Sequence, residues 1–460
     1  MGFADQMRSM FGGKRRLKVD APVSVPVSRS ELLRAEPPKP EVRNGPQFPR
    51  FHAMATDQLD RKRLDRFGAV RMKLRNAFTP SQPVADRQMF AGRSEVLTSM
   101  IRSIEDQRLH LVLYGERGIG KTSLLHMLSE AAREARYIVF YSSCGAASNF
   151  EETFRAAAEE IPVLFHSGFS PTNTNAERGS SLSDLLPEKG FSPRQLADMC
   201  AKLIGTRVLI ILDEFDRAVS ETFRRDVSEL MKFLSDRSVR VQLIIAGVAT
   251  DLVELLEHTP SIRRNLLAVR VPLMNDEEIL SLVANGERSS GLVFEPGARD
   301  AVVAVANGSP YIASLLCHHA GLIALDASRL IVNADDAAGA VKQALIEFES
   351  RIAKPAVTQV GRLLEEGGGP ALATIAGVAL RGGGDFDLAD LQAATPEGEF
   401  TNYKRLVEKL AAENVILERC DDEYRKGYAF IEEGVRHYLW FLGAQAEARP
   451  ASKAQRANTA

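Results

Sequence analysis

Gly115-Glu116-Arg117-Gly118-Ile119-Gly120-Lys121-Thr122 is the stretch from which the rest of the chain can be read. It matches GxxxxGK[ST] without deviation, and Ser123 follows it. An apolar run, LHLVLY (109–114), precedes it, and an amphipathic segment, SLLHMLSEAAREA (123–135), follows. Strand, glycine-rich loop and helix in that order are what a phosphate-binding loop requires. The glycines let the backbone curl so that successive N–H groups converge on an anion, and the helix adds its positive N-terminal end. Lys121 is placed to bridge β- and γ-phosphate oxygens, and Thr122 to offer its hydroxyl to Mg²⁺. A bare glycine-rich turn is the competing reading, and the flanking strand and helix argue against it.

A second motif lies 92 residues after Lys121. VLIILDE (208–214) is an apolar strand that ends in two acids. Asp213 at its end is expected to hold the Mg²⁺ shell, and Glu214 to polarise an attacking water. Two acids after a strand are most often a solvated turn. Paired with the phosphate loop they point to hydrolysis of the nucleotide rather than passive binding.

Moving outward, short apolar runs at 109–114, 137–141, 208–212 and 241–246 alternate with helical segments. Such runs suit strands buried on both faces of a parallel sheet. The expected fold is therefore α/β, a three-layer P-loop core over residues 88–274. Residues 161–193 interrupt it with a polar loop insertion. From Asn275 the pattern turns helical, opened by an Asn275/Glu278 capping box, and a helical lid is expected over 275–353. A last unit, 354–445, reads as helices at 371–380, 388–394 and 402–413, then strands near 416–420 and 428–431. That order suggests a winged helix, with Tyr428, Phe430, Tyr438, Trp440 and Phe441 in its core. Residues 1–60 are Pro-rich and read as a disordered tail, 61–87 as a basic arm and linker, and 446–460 as a mobile tail.

The two motifs together resemble the AAA+ superfamily, near its Orc1/Cdc6-like branch and the related STAND signalling ATPases. Phe90-Ala-Gly92-Arg93-Ser-Glu95 is similar to the FxGRxxE box of those families, and ILDEFDRA (211–218) to their acidic strand segment. The resemblance covers roughly 88–440. It implies that Gly92 and Arg93 pack near the adenine, which favours ATP over GTP. It also implies a sensor at the end of the strand QLIIAGVAT, where Thr250 stands in place of the usual Asn; Thr250 equally suits a helix N-cap. Arg263 or Arg264 falls where an arginine finger reaches a neighbouring subunit's γ-phosphate, a surface salt bridge being the alternative. Asn307-Gly-Ser-Pro-Tyr311 falls at the lid's GxP segment, and Tyr311 replaces the second sensor's arginine.

Composition fits a protein of this kind. The 460 residues are 45% apolar and 26% charged, which excludes collagen-like and wholly disordered classes. Four dispersed cysteines with no CxxC pair point to a reducing, cytoplasmic setting, and no apolar run is long enough to span a membrane. The eight histidines show no metal spacing. The net charge of −2 hides an asymmetry, because residues 1–88 hold 18 Lys/Arg against 9 Asp/Glu and leave −11 for the rest. The segment 61–75 carries seven positive charges and one negative, the better electrostatic candidate for DNA. A solvated helix, an anionic membrane surface or a protein partner are its alternatives. The expected recognition helix balances Lys404, Arg405 and Lys409 with Glu408 and Glu413, and its wing is acidic, so packing or protein contact competes with DNA there. The resulting expectation is an ATP- and Mg²⁺-dependent ATPase, associated with DNA as the Orc1-like resemblance implies, driving conformational change or ATP-dependent homo-oligomer assembly. A STAND-like ATPase acting on a protein partner, and a nucleotide-gated module with negligible turnover, are the alternatives.

Overall fold

The computed structural model describes residues 66–84, 86–169, 180–237, 240–248, 264–421 and 426–457. Its contacts divide the chain into two units, Met1–Ala69 and Val70–Ala460. The elements below belong to the second unit, apart from the first residues of helix α1 (Arg66–Ala77), which spans the boundary in sequence.

The core is a five-stranded sheet of β1 (His110–Tyr114), β2 (Ile138–Ser143), β3 (Val208–Asp213), β4 (Val241–Gly247) and β5 (Leu266–Arg270). All pairings are parallel, in the order β2-β3-β4-β1-β5. Every residue of β3 and β4 is buried, as their unbroken apolar runs require. Helices α2 (Ser94–Glu105), α3 (Lys121–Glu134), α4 (Phe150–Glu159), α5 (Pro193–Cys200) and α6 (Glu221–Asp236) cover the two faces. Met100, Ile104, Leu124 and Leu128 pack with Leu111, Leu113, Ile211 and Ile244 in one layer. Phe154, Leu196, Phe223 and Leu230 pack with Val112, Ile210, Leu212 and Ile245 in the other. Odd and even strand positions part to opposite faces, which is the period-2 geometry of a sheet covered twice. The expected three-layer α/β core is thus observed.

Strand β5 has no counterpart among the apolar runs read as strands. Its residues are half-buried or exposed at the sheet edge, so LLAVR lacks the solid apolar signature of the inner strands. The insertion at 161–193 is more ordered than a polar loop. It holds single turns at Val163–Phe165 and Leu182–Leu185, and buries Val163, Leu182 and Phe191. Residues 170–179 of it lie outside the described residues.

Beyond the core come α7 (Asp276–Ser290), β6 (Val293–Phe294), α8 (Pro296–Ala306), α9 (Pro310–Asp326), β7 (Ile331–Val332) and α10 (Ala334–Glu349). The Asn275/Glu278 capping box forms as expected: Glu278 N donates to Asn275 Oδ1 at 2.9 Å, and Asn275 N to Glu278 Oε2 at 3.0 Å. Helix α9 is buried on several sides, with Leu315, Leu316, Cys317 and Ala320 all within the core. The basic segment 61–75 is described from Arg66 onward. Residues 61–65 lie outside the described residues, but Leu74 and Phe78 are buried on the lid. Phe78 stands over Gly286 and Leu74 over Gly321, and Arg71 pairs with Asp326. Leu74, Ala77 and Phe78 thus anchor one face of helix α1, while Lys73 and Arg75 remain exposed on the other.

The chain ends with α11 (Lys354–Glu365), α12 (Gly369–Gly382), β8 (Asp385–Phe386), α13 (Leu388–Ala394), α14 (Phe400–Glu413), β9 (Leu417–Asp421), β10 (Lys426–Phe430) and α15 (Glu433–Ala457). The last strands form an antiparallel sheet, β8-β10-β9. Tyr428, Phe430, Tyr438 and Phe441 are buried, as the sequence suggests. Helix α15 continues to Ala457, past residue 446, where composition suggests that a mobile tail begins. Gly377 lies against Trp440 and Gly443 against Ala373, so small residues let α12 and α15 approach closely. Trp440 Nε1 donates to Val305 O at 2.8 Å, and the His437 ring stacks on Phe348, which ties α15 to the lid.

Candidate functional site

The loop between β1 and α3 curls through Gly118 (φ +74°) and Gly120 (φ +97°), left-handed conformations that favour glycine. A Cβ on Gly120 would stand 2.8 Å from the Arg93 guanidinium. Lys121 Nζ folds back over the loop and donates to Gly115 O and Glu116 O, both at 2.8 Å. Burial lowers the Lys121 pKa, and Asp216 and Asp213 oppose that shift. The ammonium is thereby held where phosphate oxygens would replace two backbone carbonyls.

The two sequence motifs meet. Thr122 Oγ1 donates to Asp213 Oδ2 at 2.7 Å, although 91 residues separate them. Strand order explains this, because β1 and β3 flank β4 and both end at the same edge. Asp213 is 2% exposed and carries two further donors, Tyr141 Oη at 2.6 Å and Glu214 N at 2.8 Å. A buried carboxylate needs such partners. Burial first, and then the hydrogen bond to Asp213, push the Tyr141 ionisation upward, so the hydroxyl keeps its proton. Burial, aided by Asp213 and other acids, pushes the nearby Cys144 thiol to about 12, which leaves it without thiolate character. Glu214 adopts a left-handed backbone (φ 51°) and pairs with Arg217 at 2.9 Å on the surface.

These residues line a cleft of about 1430 Å³. The loop 115–123, Asp213, Glu214 and Asp216 form its floor; residues 79–84, with Pro310, Tyr311 and Ser314 of α9, form one wall. Residues 380–385 and 429–431, Glu433 and Arg436 close it from the C-terminal part of the chain. Arg436 and Glu116 approach to 3.5 Å with side chains only 7% and 15% exposed, and Arg436 also pairs with Glu433 at 3.3 Å. Burial raises the Glu116 pKa, while Arg436 counters it.

Gly92 and Arg93 require a correction. They do not line the cleft. Arg93 is buried behind the loop, donating to Ile119 O and, at 3.0 Å, to Pro272 O. Its backbone N–H donates to Glu278 Oε1 at 2.9 Å, and a Cβ on Gly92 would lie 2.4 Å from that oxygen. Burial lowers the Arg93 pKa to about 10. The pair joins core to lid and props the loop from beneath; residues 79–84 stand at the cleft instead. Tyr311 packs its Cβ against Gly118. Thr250 and Arg263 lie outside the described residues. Arg264 is exposed at the entry to β5 and is not among the cleft's lining residues.

Tyr141, Asp216 and Arg436 join the site without having been singled out by the motifs. Tyr141 carried a usable signal, a polar-tipped aromatic near the end of a strand parallel to the one bearing Asp213. Arg436 carried none, because its position depends on how α15 docks. The oxygens that could ligate a cation here, those of Thr122 and Asp213, suit a hard ion such as Mg²⁺. Among the described residues no group of three or more His, Cys, Asp or Glu could hold a metal alone. An ion here would share Thr122 and the Asp213 side with phosphate oxygens and water.

A family model described as Novel STAND NTPase 1 matches residues 77–354, more than half of the chain. No curated protein matches. Among solved structures, Cdc6p from Pyrobaculum aerophilum is similar at 13% identity and a TM-score of 0.43, covering 82% of this chain and 98% of that one. The Orc1 protein of Aeropyrum pernix, in complex with DNA, is similar at 16% identity and 0.41, over 82% and 97%. The Holliday junction branch migration motor RuvB of Thermotoga maritima is similar at 15% and 0.39, over 76% and 95%.

Proposed function

Taking as premise that the chain belongs to the Novel STAND NTPase 1 family, we propose that it binds ATP with Mg²⁺ in this cleft and hydrolyses it to drive a conformational or assembly change. The observation that carries the reading is the Thr122–Asp213 hydrogen bond, with Lys121 folded over the same loop. Lys121 and the loop N–H groups bind the phosphates. Thr122 and Asp213 hold the cation, which neutralises phosphate charge when bound. Glu214 orients water, once its side chain leaves Arg217. The C-terminal part, which we read as a winged helix, contributes Arg436 beside Glu116 at the loop itself. That contact supports a nucleotide-dependent movement of this part, because phosphates arriving at the loop bring charge to the pair. A protein partner recognising the moved part fits the family better than a sequence-reading DNA contact. For an ATP-dependent homo-oligomer, Arg263 or Arg264 is the proposed finger and Thr250 the proposed sensor.

DNA association is the second reading, favoured by the +9 charge of residues 1–88. The test is ATP turnover with and without duplex DNA at two salt concentrations, using the intact chain and one lacking residues 1–65. The cut falls at 65 because Leu74 is buried in the lid. Salt-sensitive stimulation that disappears with the deletion supports DNA contact; turnover indifferent to DNA supports the protein-partner reading. Glu214→Gln should cut turnover about a hundred-fold or more while binding persists. Unchanged turnover in that variant would favour the nucleotide-gated module without hydrolysis.

A further inference from the structure

We infer that Tyr141 is a positioning residue of the site: its hydroxyl, together with that of Thr122, ties down one oxygen of Asp213 and leaves the other to face the cation. This rests on the nucleotide reading above. Asp213 Oδ2 accepts from Thr122 at 2.7 Å and from Tyr141 at 2.6 Å. A carboxylate oxygen offers two lone pairs, so Oδ2 is saturated. Oδ1 accepts the Glu214 N–H at 2.8 Å and keeps one acceptor position. That position is the one left for a water of the cation's shell.

The strand register explains why a tyrosine serves. In β2, Tyr141 pairs with Ile211 and Ser143 with Asp213, so Tyr141 stands two residues back from the acid. Two residues of strand span roughly 6.6 Å. A phenol covers that distance, and a shorter polar side chain does not. The ring is braced on its other side by His126 of α3, edge-on with centroids 5.2 Å apart. The Asp213 backbone is fixed as well, its carbonyl accepting from Cys144 N at 2.7 Å. Asp213 is thus held at both ends, and the Tyr141 hydroxyl is the share of that hold that β2 supplies through a side chain.

The test measures binding of a fluorescent ATP analogue to the intact chain across a Mg²⁺ titration, for the parent, Tyr141→Phe, Asp213→Asn and the double variant. Expected is a Tyr141→Phe chain whose affinity in EDTA stays within about two-fold, while its half-saturating Mg²⁺ concentration rises about five- to ten-fold, as loss of one hydrogen bond of ordinary net strength implies. In the Asp213→Asn background the same change should add nothing further. Equal weakening with and without Mg²⁺, an unmoved Mg²⁺ midpoint, or a full additional effect in the Asp213→Asn background would overturn the assignment. A parent chain that binds no analogue would instead remove the nucleotide reading on which it rests.

Discussion

At the scale of single residues, the arrangement around the loop separates residues that face the cleft, proposed to touch phosphate, from residues that hold the loop in place. Gly92 and Arg93 belong to the second kind, since Gly92 abuts Glu278 and Arg93 reaches Ile119 and Pro272. Gly92→Ala should therefore lower the melting temperature, measured calorimetrically, with a cost of about 1–3 kcal/mol from forced displacement of Glu278. Nucleotide affinity should fall only as far as the loop loosens. Lys121, Thr122, Asp213 and Glu214 were plain in the sequence, because each sits at a fixed step from a glycine turn or a strand end. Gly92 and Arg93 were not, because a motif's spacing says nothing of which face of the loop it meets. Buried histidines give a second expectation at this scale. Burial lowers His110 and His437 to about 4 from 6.5. The unfolded chain therefore binds their protons first, and stability falls as pH drops from about 6.5 toward 4. Each contributes about 3 kcal/mol to that loss. Thermal melts across the window should show it, and His437→Asn should flatten part of the slope.

Among the elements, α1 and α7 make the clearest case of local sequence obeying a distant demand. Gly286 lies mid-helix in α7, where glycine is costly, yet a Cβ there would stand 1.9 Å from the Phe78 ring. Gly286→Ala should release 70–78 from the lid. Limited proteolysis near residues 75–84 should accelerate, while a protected Phe78 region would contradict the packing. The Asn275/Glu278 box was legible because capping is a local four-residue grammar. β5 and β8 were not, being short, half-exposed and defined by partners far along the chain. Helix α15 is not read as a helix from the sequence, and its polar composition after Ala446 resembles a tail.

For the whole molecule, the C-terminal part closes the cleft that the core and lid begin, with Arg436 against Glu116 at the loop. Arg436→Ala should leave a buried carboxylate without its cation and change nucleotide exchange. The dissociation rate of a fluorescent ATP analogue, followed by stopped flow, should rise several-fold; an unaltered rate would mean that this contact does not gate the cleft. The charge asymmetry of the chain takes a narrower meaning at this scale. Leu74, Ala77 and Phe78 are buried, while Lys73 and Arg75 stay exposed, so helix α1 still offers basic charge to solvent. The nucleotide site is tested most directly by equilibrium binding of a fluorescent ATP analogue with Mg²⁺ to the intact chain and to its Lys121→Ala variant. The parent should bind saturably and the variant should lose about a hundred-fold or more, the order expected when a charged phosphate contact is removed. Full affinity in Lys121→Ala would contradict the assignment of the loop as the phosphate site.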